Sequence, residues 1–506
     1  MGVLSDLEPK SVFTFFEEIT RIPHGSGNVE QISDYLVSFA KERNLFCIQD
    51  EWKNVIIVKE ATPGYEGEPA VILQGHMDMV AVKKPDCDID LRTEGLQVAV
   101  RGDEIYAEGT SLGGDDGIAV AYSLALLDSH TIKHPRLEVI ITVDEEVGMD
   151  GARAIDLSML TGNRMVNLDS EDEGIFLTSC AGGARVKCNL PLSVEEGEGT
   201  VYKVTLDGLL GGHSGGEIHK ERGNSNCLFG RLLKRACDRI PVRLCKVKGG
   251  LADNAIPRET PGLLLVEEKD CAVFTEILSD LEEEIKGELV TRDPGFYIRA
   301  EAVDEMAYSS VDAAGRKRYQ CVSAADTKKA ADFLAAMPNG VQAMSADMPG
   351  LVETSLNMGI LEFDVEQDGA SAGCPVPVVL LAEFSVRSSV ESAKHALIGK
   401  LHAITELAGG RNEVTGDYPG WAYRKDSPLR DKMVALYEKM YGVTPKVEAI
   451  HAGLECGILG SKIKDLDCVS IGPQMTAIHT TEETLSISST RRVWEYLVTL
   501  LEAKDV

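Results

Sequence analysis

Apolar residues in the first part of the chain follow two spacings that alternate along the sequence. Positions 9–24 and 29–43 repeat apolar residues at the three- and four-residue spacing of an amphipathic helix. Short apolar runs at 54–58, 137–143 and 164–168 have the length of buried strands. Strands that alternate with helices are typical of a mixed, mostly parallel sheet with helices on both faces. The pattern therefore predicts an α/β fold for this part of the chain.

The pattern changes near residue 185. Segments such as 201–206 and 262–266 have strand character, and long helical segments such as 224–238 separate them. This order predicts an α+β domain, and its repetition suggests two similar halves. After residue 414 the earlier alternation of strands and helices returns.

We therefore predict a discontinuous first domain. Residues 1–184 and 415–506 form it, and residues 185–414 form a second domain inserted between them. Insertions are tolerated where two chain ends lie close together at a domain surface. The length of 506 residues fits this division, because a single hydrophobic core stops growing near about 250–300 residues.

The composition narrows the class of protein and its partners. Apolar residues make up 44% and charged residues 26%, as in ordinary globular chains. Acidic residues outnumber basic ones by 81 to 51, and the net charge of −30 argues against nucleic acid or an anionic membrane as the main partner. The 12 cysteines include no Cys-x-x-Cys pair, and neither a secretory signal nor a membrane-spanning apolar run is present. We expect a cytoplasmic protein with reduced thiols.

Acids and histidines follow the predicted strands, or begin a predicted helix, at five places. The residues concerned are His76 and Asp78, then Asp115 and Asp116, then Asp144, Glu145 and Glu146, then Asp169, and finally His479. An open α/β sheet places its site just beyond the carboxyl ends of its strands. We therefore expect the first four groups to converge at one edge of the sheet.

Each group also has a simpler interpretation. An acid at a helix start, such as Asp115 or Asp116, is usually a cap, and a run of acids usually lies on a solvated loop. Carboxylates gathered at one sheet edge repel each other, however, unless a cation lies between them. Two imidazoles and several carboxylates, without cysteine, suit Zn, Mn or Co. The combination favours a metal site.

Six motifs resemble, in order and spacing, those of the zinc exopeptidase family that includes glutamate carboxypeptidase, peptidase T, aminoacylase and carnosinase. The motifs are His76-Met-Asp78, Gly113-Gly-Asp115, Asp144-Glu-Glu146, Asn167-Leu-Asp169, Gly211-Gly-His-Ser-Gly215 and His479. Four longer segments resemble the branch of the bacterial aminoacyl-histidine dipeptidases, namely 73–80, 145–152, 180–183 and 252–259. The resemblance covers nearly the whole chain and implies a zinc-exopeptidase-like catalytic domain with an inserted lid domain.

The resemblance implies a centre with two divalent metal ions bridged by Asp115. Zinc is the expected metal, with manganese and cobalt as alternatives. His76 and Asp169 would complete the ligands of one ion, and Glu146 and His479 those of the other.

The same resemblance assigns two further residues of the first domain. Glu145 would be the general base that activates a water bridging the metal ions, and Asp78 would orient His76 by accepting its second ring N–H. Glu145 and Glu146 are adjacent, so one can bind metal while the other faces the water. The sequence alone does not distinguish which does which.

The inserted domain is expected to contribute to the same site. His213 follows a strand in a glycine-rich stretch, which by itself could be a turn with a solvent-facing imidazole. The resemblance implies that His213 reaches the active site, often that of a partner subunit, and stabilises the tetrahedral oxyanion; it also implies a homodimer through this domain. Asn254 and Arg387 are candidate substrate-binding residues, although Arg387 could instead form a surface ion pair. Glu455 is a candidate for recognising the substrate's free amino group.

The predicted function is that of a metal-dependent dipeptidase acting on unblocked dipeptides, Xaa-His among them. One alternative is another amidohydrolase on the same scaffold, such as an aminoacylase, a carboxypeptidase or a tripeptidase. A second is a metal-free homologue that serves as a binding or scaffold protein. All five expected ligand positions are filled, which disfavours the second alternative. His24, His219 and His451 have no predicted role.

Overall fold

The computed structural model describes residues 2–304, 309–311, 313, 315–365 and 378–504. The chain forms two compact units. The first comprises residues 1–180, 421–449 and 454–506, and the second comprises residues 181–420 and 450–453. None of the helices in the described ranges is long and apolar enough to cross a membrane.

The helices and strands are numbered in chain order. Up to residue 180 they are α1 (Lys10–Thr20), α2 (Glu30–Glu42), β1 (Phe46–Gln49), β2 (Val55–Lys59), β3 (Val71–His76), β4 (Val98–Arg101), β5 (Glu104–Ala107), α3 (Gly114–Asp128), β6 (Leu137–Thr142), α4 (Asp150–Ala154), β7 (Arg164–Asn167) and β8 (Ile175–Cys180). From residue 181 to 420 they are β9 (Gly182–Leu192), β10 (Val194–Gly197), β11 (Thr200–Asp207), β12 (Gly212–His213), α5 (Ser225–Cys237), β13 (Val242–Gly249), β14 (Ala255–Ile256), β15 (Thr260–Val266), α6 (Cys271–Leu289), β16 (Tyr297–Val303), β17 (Ser309–Val311), β18 (Lys317–Val322), α7 (Ala324–Ala336), β19 (Gly340–Met344), β20 (Val352–Asp364), β21 (Val378–Ser388), α8 (Glu391–Leu407) and β22 (Arg411–Tyr418). After residue 420 they are α9 (Pro428–Tyr441), β23 (Lys446–Ile450), α10 (Glu455–Lys462), β24 (Asp467–Ser470), β25 (Met475–Thr476), β26 (Thr484–Ser486) and α11 (Ile487–Glu502).

The first unit is built on a mixed sheet whose strand order is β1-β2-β6-β3-β7-β24-β8-β23. Its four central strands, β6, β3, β7 and β24, are parallel, and antiparallel pairs flank them. Every residue of β6 is buried, so both faces of the sheet centre are covered. Helix α3 is buried on all sides up to Leu127, as expected of a helix that is apolar all round. The predicted mixed α/β fold is confirmed, with the parallel pairing concentrated at the centre.

The second unit is built on an antiparallel sheet in the order β16-β11-β15-β13-β20-β21-β9-β22, with β19 added along β20. Its core combines the buried face of this sheet with apolar residues from α5 to α8, such as Phe229, Phe274 and Leu401. This is an α+β arrangement. The suggestion of two similar halves stays a prediction.

Some sequence-based boundaries differ from the structure. Helix α1 ends at Thr20 rather than at residue 24, because Pro23 has no amide hydrogen and disfavours helix in the residue before it. The domain boundaries placed after residues 184 and 414 fall inside β9 and β22. Both strands pair along their length with neighbours in the second unit, so the unit extends beyond those positions.

Candidate metal centre

The carboxyl ends of the central strands carry the predicted metal-binding residues. His76 is the last residue of β3, Glu145 and Glu146 follow β6, and Asp169 follows β7. Strand β3 pairs in parallel with both β6 and β7. The strand ends therefore lie side by side and bring these side chains together.

Asp115 lies between two histidines. Its Oδ1 is 3.1 Å from His76 Nε2, and its Oδ2 is 3.1 Å from His479 Nε2. His479 is 364 positions away in sequence and belongs to the loop between β25 and β26. A carboxylate whose two oxygens face different imidazoles is suited to bridging two cations.

Potential ligands lie on both sides of Asp115. On one side, Asp169 Oδ1 lies 3.7 Å from His76 Nε2, and His76, Asp116 and Asp169 offer ligand atoms that all lie within 4.8 Å of one another. On the other side, Asp115, Glu146 and His479 offer ligand atoms that all lie within 4.8 Å of one another. Glu146 Oε1 is buried and accepts no hydrogen bond from any described group, although His479 Nε2 is only 3.0 Å away. A cation between this nitrogen and this oxygen would satisfy both atoms.

The charges in this cluster raise the pKa of both histidines. Asp115 and Glu146 raise the pKa of His479 to about 10. Burial alone would lower the pKa of His76, but the neighbouring carboxylates, Asp115 foremost, outweigh it and raise that pKa well above its usual value. Burial, with the charges of Asp115 and Glu146, raises the pKa of Asp169 to about 6 despite the attraction of His76. The cluster has an excess of negative charge that divalent cations would neutralise, and its nitrogen and oxygen donors fit them.

Asp78 connects His76 with Glu145 through its backbone oxygen and its carboxylate. The backbone oxygen of Asp78 accepts the His76 Nδ1–H at 2.9 Å, whereas the nearest carboxylate oxygen is 3.5 Å from that nitrogen. The carboxylate accepts the backbone N–H of Glu145 at 3.2 Å and the hydroxyl of Ser26 at 2.8 Å. Burial would raise the pKa of Asp78, but His76 and these hydrogen bonds hold it below its usual value. The main chain therefore orients the His76 ring, and the ionised carboxylate fixes Glu145.

Glu145 lies close to the ligands: one of its carboxylate oxygens, one of Glu146 and a ring nitrogen of His76 all lie within 4.8 Å of one another. Burial is the main cause that raises its pKa well above the usual value, and the charges of Asp169, Glu455 and Glu146 add to it against the attraction of His76. A carboxylate whose pKa is raised is a stronger base than an ordinary carboxylate.

Asp116 is a completely buried acid, predicted to lie with the converging acids or to cap a helix but not to bind metal. Its Oδ2 accepts the backbone N–H of His76 at 3.2 Å, and a Cβ atom on Gly75 would collide with that oxygen. Burial, followed by the charge of Asp169, raises the pKa of Asp116 well above its usual value. Gly75 in the predicted motif thus leaves room for the carboxyl group that holds the end of β3.

Glu483 is a second residue that the sequence did not single out. Its buried carboxylate accepts four consecutive backbone N–H groups at the start of α3, from residues 112–115. A glycine-rich turn that begins a buried helix leaves amide donors in need of an acceptor. The unpaired amide donors of this turn, together with two acids shortly after His479, are the sequence features from which this contact could have been predicted.

Glu455, the predicted amino-group ligand, is completely buried at the start of α10. Its Oε2 accepts hydrogen bonds from Gln74 Nε2 and Thr142 Oγ1, both at 2.5 Å, and Oε1 has no hydrogen-bond partner among the described residues. Burial raises the pKa of Glu455 to about 8. No oxygen of this carboxyl group is exposed, so the geometry does not favour a direct contact with substrate. Glu455 joins β3 to β6 instead.

The second unit brings three other predicted residues together. His213 in β12 pairs with Ala255 in β14, and the N–H of Ser214 donates to the backbone oxygen of Asn254 at 2.8 Å. Arg387 is close enough that its charge, together with the larger effect of burial, lowers the pKa of His213.

Arg387 is a buried cation without an acidic partner in the described ranges. Only 9% of the residue is exposed; its Nη1 donates to the Tyr418 hydroxyl at 3.4 Å, and its Nε has no hydrogen-bond partner among the described groups. Nearby, His451 hydrogen-bonds to Ser355 at 2.7 Å, and burial with the charge of Arg387 lowers the pKa of His451 to about 4. A buried guanidinium flanked by neutral imidazoles favours an anionic ligand.

Comparison with known families identifies one match that spans most of the chain. Residues 72–503 match the family described as peptidase family M20/M25/M40. The chain is also 35% identical over 505 residues to the cytosol non-specific dipeptidase of Escherichia coli (strain K12), a match that covers 99% of each chain.

Solved structures with the same architecture include the aminoacylhistidine dipeptidase from Vibrio alginolyticus. It superposes with a TM-score of 0.89 at 35% identity, over 99% of this chain and 98% of that chain. The aminopeptidase PepT from Bacillus cereus ATCC 10987 superposes with a TM-score of 0.59 at 16% identity, over 98% of each chain. The second similarity is one of fold.

Proposed function

Because the chain belongs to peptidase family M20/M25/M40, we propose that it is a metal-dependent dipeptidase that hydrolyses unblocked dipeptides, Xaa-His among them. The observation that carries this proposal is Asp115, whose two carboxylate oxygens each lie 3.1 Å from a different histidine. The printed names of the Escherichia coli and Vibrio alginolyticus relatives support dipeptides as the substrate class.

Two metal ions would share this carboxylate. His76, Asp115 and Asp169 would hold one ion, and Asp115, Glu146 and His479 would hold the other. When bound, two such ions lower the pKa of water and neutralise negative charge on the substrate's carbonyl oxygen. We propose zinc, with manganese and cobalt as alternatives, since a nitrogen and oxygen donor set without thiolates suits all three.

Glu145 is the proposed general base. Its ionised carboxylate takes a proton from the attacking water, and the resulting carboxylic acid passes that proton to the leaving amine. The raised pKa supports this role, because it makes the ionised carboxylate a stronger base. The hydrogen bond from the Glu145 N–H to the Asp78 carboxylate fixes where the chain turns toward the ligands.

His213 is the proposed donor to the oxyanion. Its Nδ1 accepts the backbone N–H groups of Gly215 at 3.3 Å and Gly216 at 3.0 Å, so the proton of the neutral ring lies on Nε2. Burial and the charge of Arg387 lower its pKa and keep the ring neutral. An Nε2–H with a fixed tautomer is ready to donate when negative charge develops on the substrate.

Arg387 and Asn254 are the proposed substrate-binding residues. The lack of an acidic partner for Arg387 among the described residues leaves its guanidinium available for the terminal carboxylate of a dipeptide. Asn254 is exposed next to the β12 strand that carries His213. Specificity for a free carboxylate is the expected consequence.

Replacing His213 by alanine should lower kcat by about 10²–10³-fold, the usual cost of losing one oxyanion donor. Metal content should not change, because His213 is outside both ligand groups. Steady-state kinetics and metal analysis of the purified variant measure the two effects. His219→Ala, an exposed histidine six residues later, is the matched control and should behave as the wild type. An unchanged kcat in His213→Ala would remove His213 from the reaction.

The substrate class is tested by turnover of a panel of peptides with zinc, manganese or cobalt added, and after treatment with a chelator. The panel contains free dipeptides including Xaa-His, their C-terminal amides, their N-acetyl derivatives and tripeptides. Free dipeptides should be hydrolysed fastest, and the chelator should abolish their turnover. Faster hydrolysis of N-acetyl substrates or of tripeptides would instead favour an aminoacylase or a tripeptidase, and activity that survives metal removal would contradict the proposed chemistry.

A cytoplasmic location and a homodimer through the inserted domain belong to the same proposal. The first is supported by the word cytosol in the name of the Escherichia coli relative. The second rests on the family resemblance of the motifs.

A further inference from the structure

The start of helix α3 is held by an acid from the far end of the chain. Glu483 Oε2 accepts the backbone N–H groups of Leu112 at 2.9 Å and Gly113 at 3.1 Å. Its Oε1 accepts those of Gly114 at 2.8 Å and Asp115 at 3.3 Å. Each oxygen thus serves two donors, which matches the capacity of an ionised carboxylate. The last donor is the amide of the bridging residue itself.

The glycine-rich turn depends on this acceptor. Gly113 has a φ of +67°, and it supplies no side chain that could cap the helix. The first amides of a helix have no partner within the helix, and here they are buried with the turn. A Cβ atom on Gly114 would lie 3.2 Å from Glu483 Oε1, so the second glycine leaves space for the carboxylate. Turn and acid are complementary in shape and charge.

Glu483 also shares its loop with a metal ligand. The loop runs from residue 477 to 483 between β25 and β26, whose pairing joins Thr476 to Thr484. His479 near its tip faces Asp115 and Glu146, and Glu483 at its end holds the amide of Asp115. One short loop therefore sets both the position of one ligand and the main-chain position of another.

We propose that Glu483 is a positioning residue for the metal centre, acting through the backbone of Asp115 and the loop of His479. This inference rests on the proposed function only in requiring that the ligand groups bind metal. Glu483 touches neither imidazole nor any ligand carboxylate within hydrogen-bonding distance in the described structure. Its effect should fall most on the ion held by Asp115, Glu146 and His479, because two of these three ligands depend on it.

The test compares Glu483→Gln with Glu482→Gln. The neighbouring Glu482 is a matched control, since its side chain is 71% exposed and pairs with Lys84 at 2.6 Å, so the same change removes the same charge without touching the turn. The metal-free proteins are titrated with zinc against a competing chelator, and bound zinc per chain is counted. The glutamine side chain has only one oxygen that can accept hydrogen bonds from the four backbone N–H groups. Its NH₂ group is a donor and would face the backbone donors that the second carboxylate oxygen now accepts.

The wild type and Glu482→Gln should each bind two zinc ions, and each ion should have the same affinity in the variant as in the wild type. In Glu483→Gln, one of the two should bind about 10- to 100-fold more weakly, the usual effect of removing a group that orients a ligand. Added zinc should restore much of the lost turnover. Glu483→Asp, which keeps the charge on a shorter side chain, should lie between wild type and glutamine, and it provides the comparison if the glutamine variant does not fold.

Unchanged zinc affinity in Glu483→Gln and Glu483→Asp would overturn the proposal. A lower midpoint of thermal unfolding with unchanged zinc affinity would also overturn it, because Glu483 would then only stabilise the start of the helix. A wild-type chain that binds fewer than two ions would refute the proposed metal chemistry as well. A wild type that binds two ions but cleaves no dipeptide would refute the proposed substrate class. The inference about Glu483 would then still be decided by the zinc titration.

Discussion

Replacing Glu145 by glutamine should lower kcat by about 10²–10⁴-fold, the range that a positioned general base contributes. The glutamine has nearly the same shape and can keep the Glu145 N–H bonded to Asp78, but it cannot accept the proton of the attacking water. Both metal ions should remain bound, because Glu145 is in neither of the two proposed ligand groups. Pre-steady-state or steady-state turnover of a dipeptide, with metal analysis of the same sample, measures both quantities.

The matched control is Glu146→Gln, one residue later. That change removes a proposed ligand whose Oε1 lies 3.0 Å from His479 Nε2. It should therefore lower the number of tightly bound ions as well as turnover. If Glu145→Gln loses metal and Glu146→Gln keeps it, the roles of the two residues are exchanged. Full activity in Glu145→Gln would remove it from the reaction.

Replacing Asp115 by asparagine should have a still broader effect. Only one of its two oxygens would remain, and the new amide group would face one of the two imidazoles at the present 3.1 Å. We expect at most one tightly bound ion per chain. Loss of the transition-state stabilisation that paired metals supply, several kcal/mol, corresponds to a fall in kcat/KM of about 10³-fold or more.

Asp116→Asn makes the same change one residue later and is the matched control. It distinguishes a carboxylate that bridges the two ions from one that only lies near them. The raised pKa of Asp116 favours its neutral form, and an asparagine oxygen can still accept the His76 N–H. Two ions should stay bound in this variant. Two ions in Asp115→Asn and one in Asp116→Asn would show that the neighbouring acid is the bridge.

The parts of the fold that could be predicted from sequence are those with strong local periodicity. Strand β6 and helices such as α5 lie close to their predicted positions because their apolar spacing is continuous. Strand β22, at the edge of the sheet in the second unit, is mostly polar, and β9 alternates apolar and polar residues only after its two initial glycines. Their boundaries follow from pairing with distant strands, which local spacing does not encode.

The candidate site divides in the same way. Histidines and acids at the ends of strands, such as His76 and Asp169, can be recognised from sequence because an open α/β sheet places its site at the carboxyl ends of its strands. Glu483 and Glu455 are not, because their roles depend on partners about 310–380 positions away along the chain. Glu455 follows a glycine and a leucine and suggests a pocket loop, yet the polar side chains of β3 and β6 bind it in the interior. Only tertiary contacts distinguish these outcomes.

The order of ligands along the chain has a consequence for biosynthesis. His76, Asp115, Glu146 and Asp169 are translated before the second unit, whereas His479 and Glu483 come after it. A nascent chain that has completed the second unit still lacks one side of the proposed centre and the acid that holds the glycine turn. In the proposed mechanism, peptidase activity arises only after residues 479–483 have been synthesised. Incomplete products of translation that end before residue 479 should be inert toward peptides inside the cell that makes them.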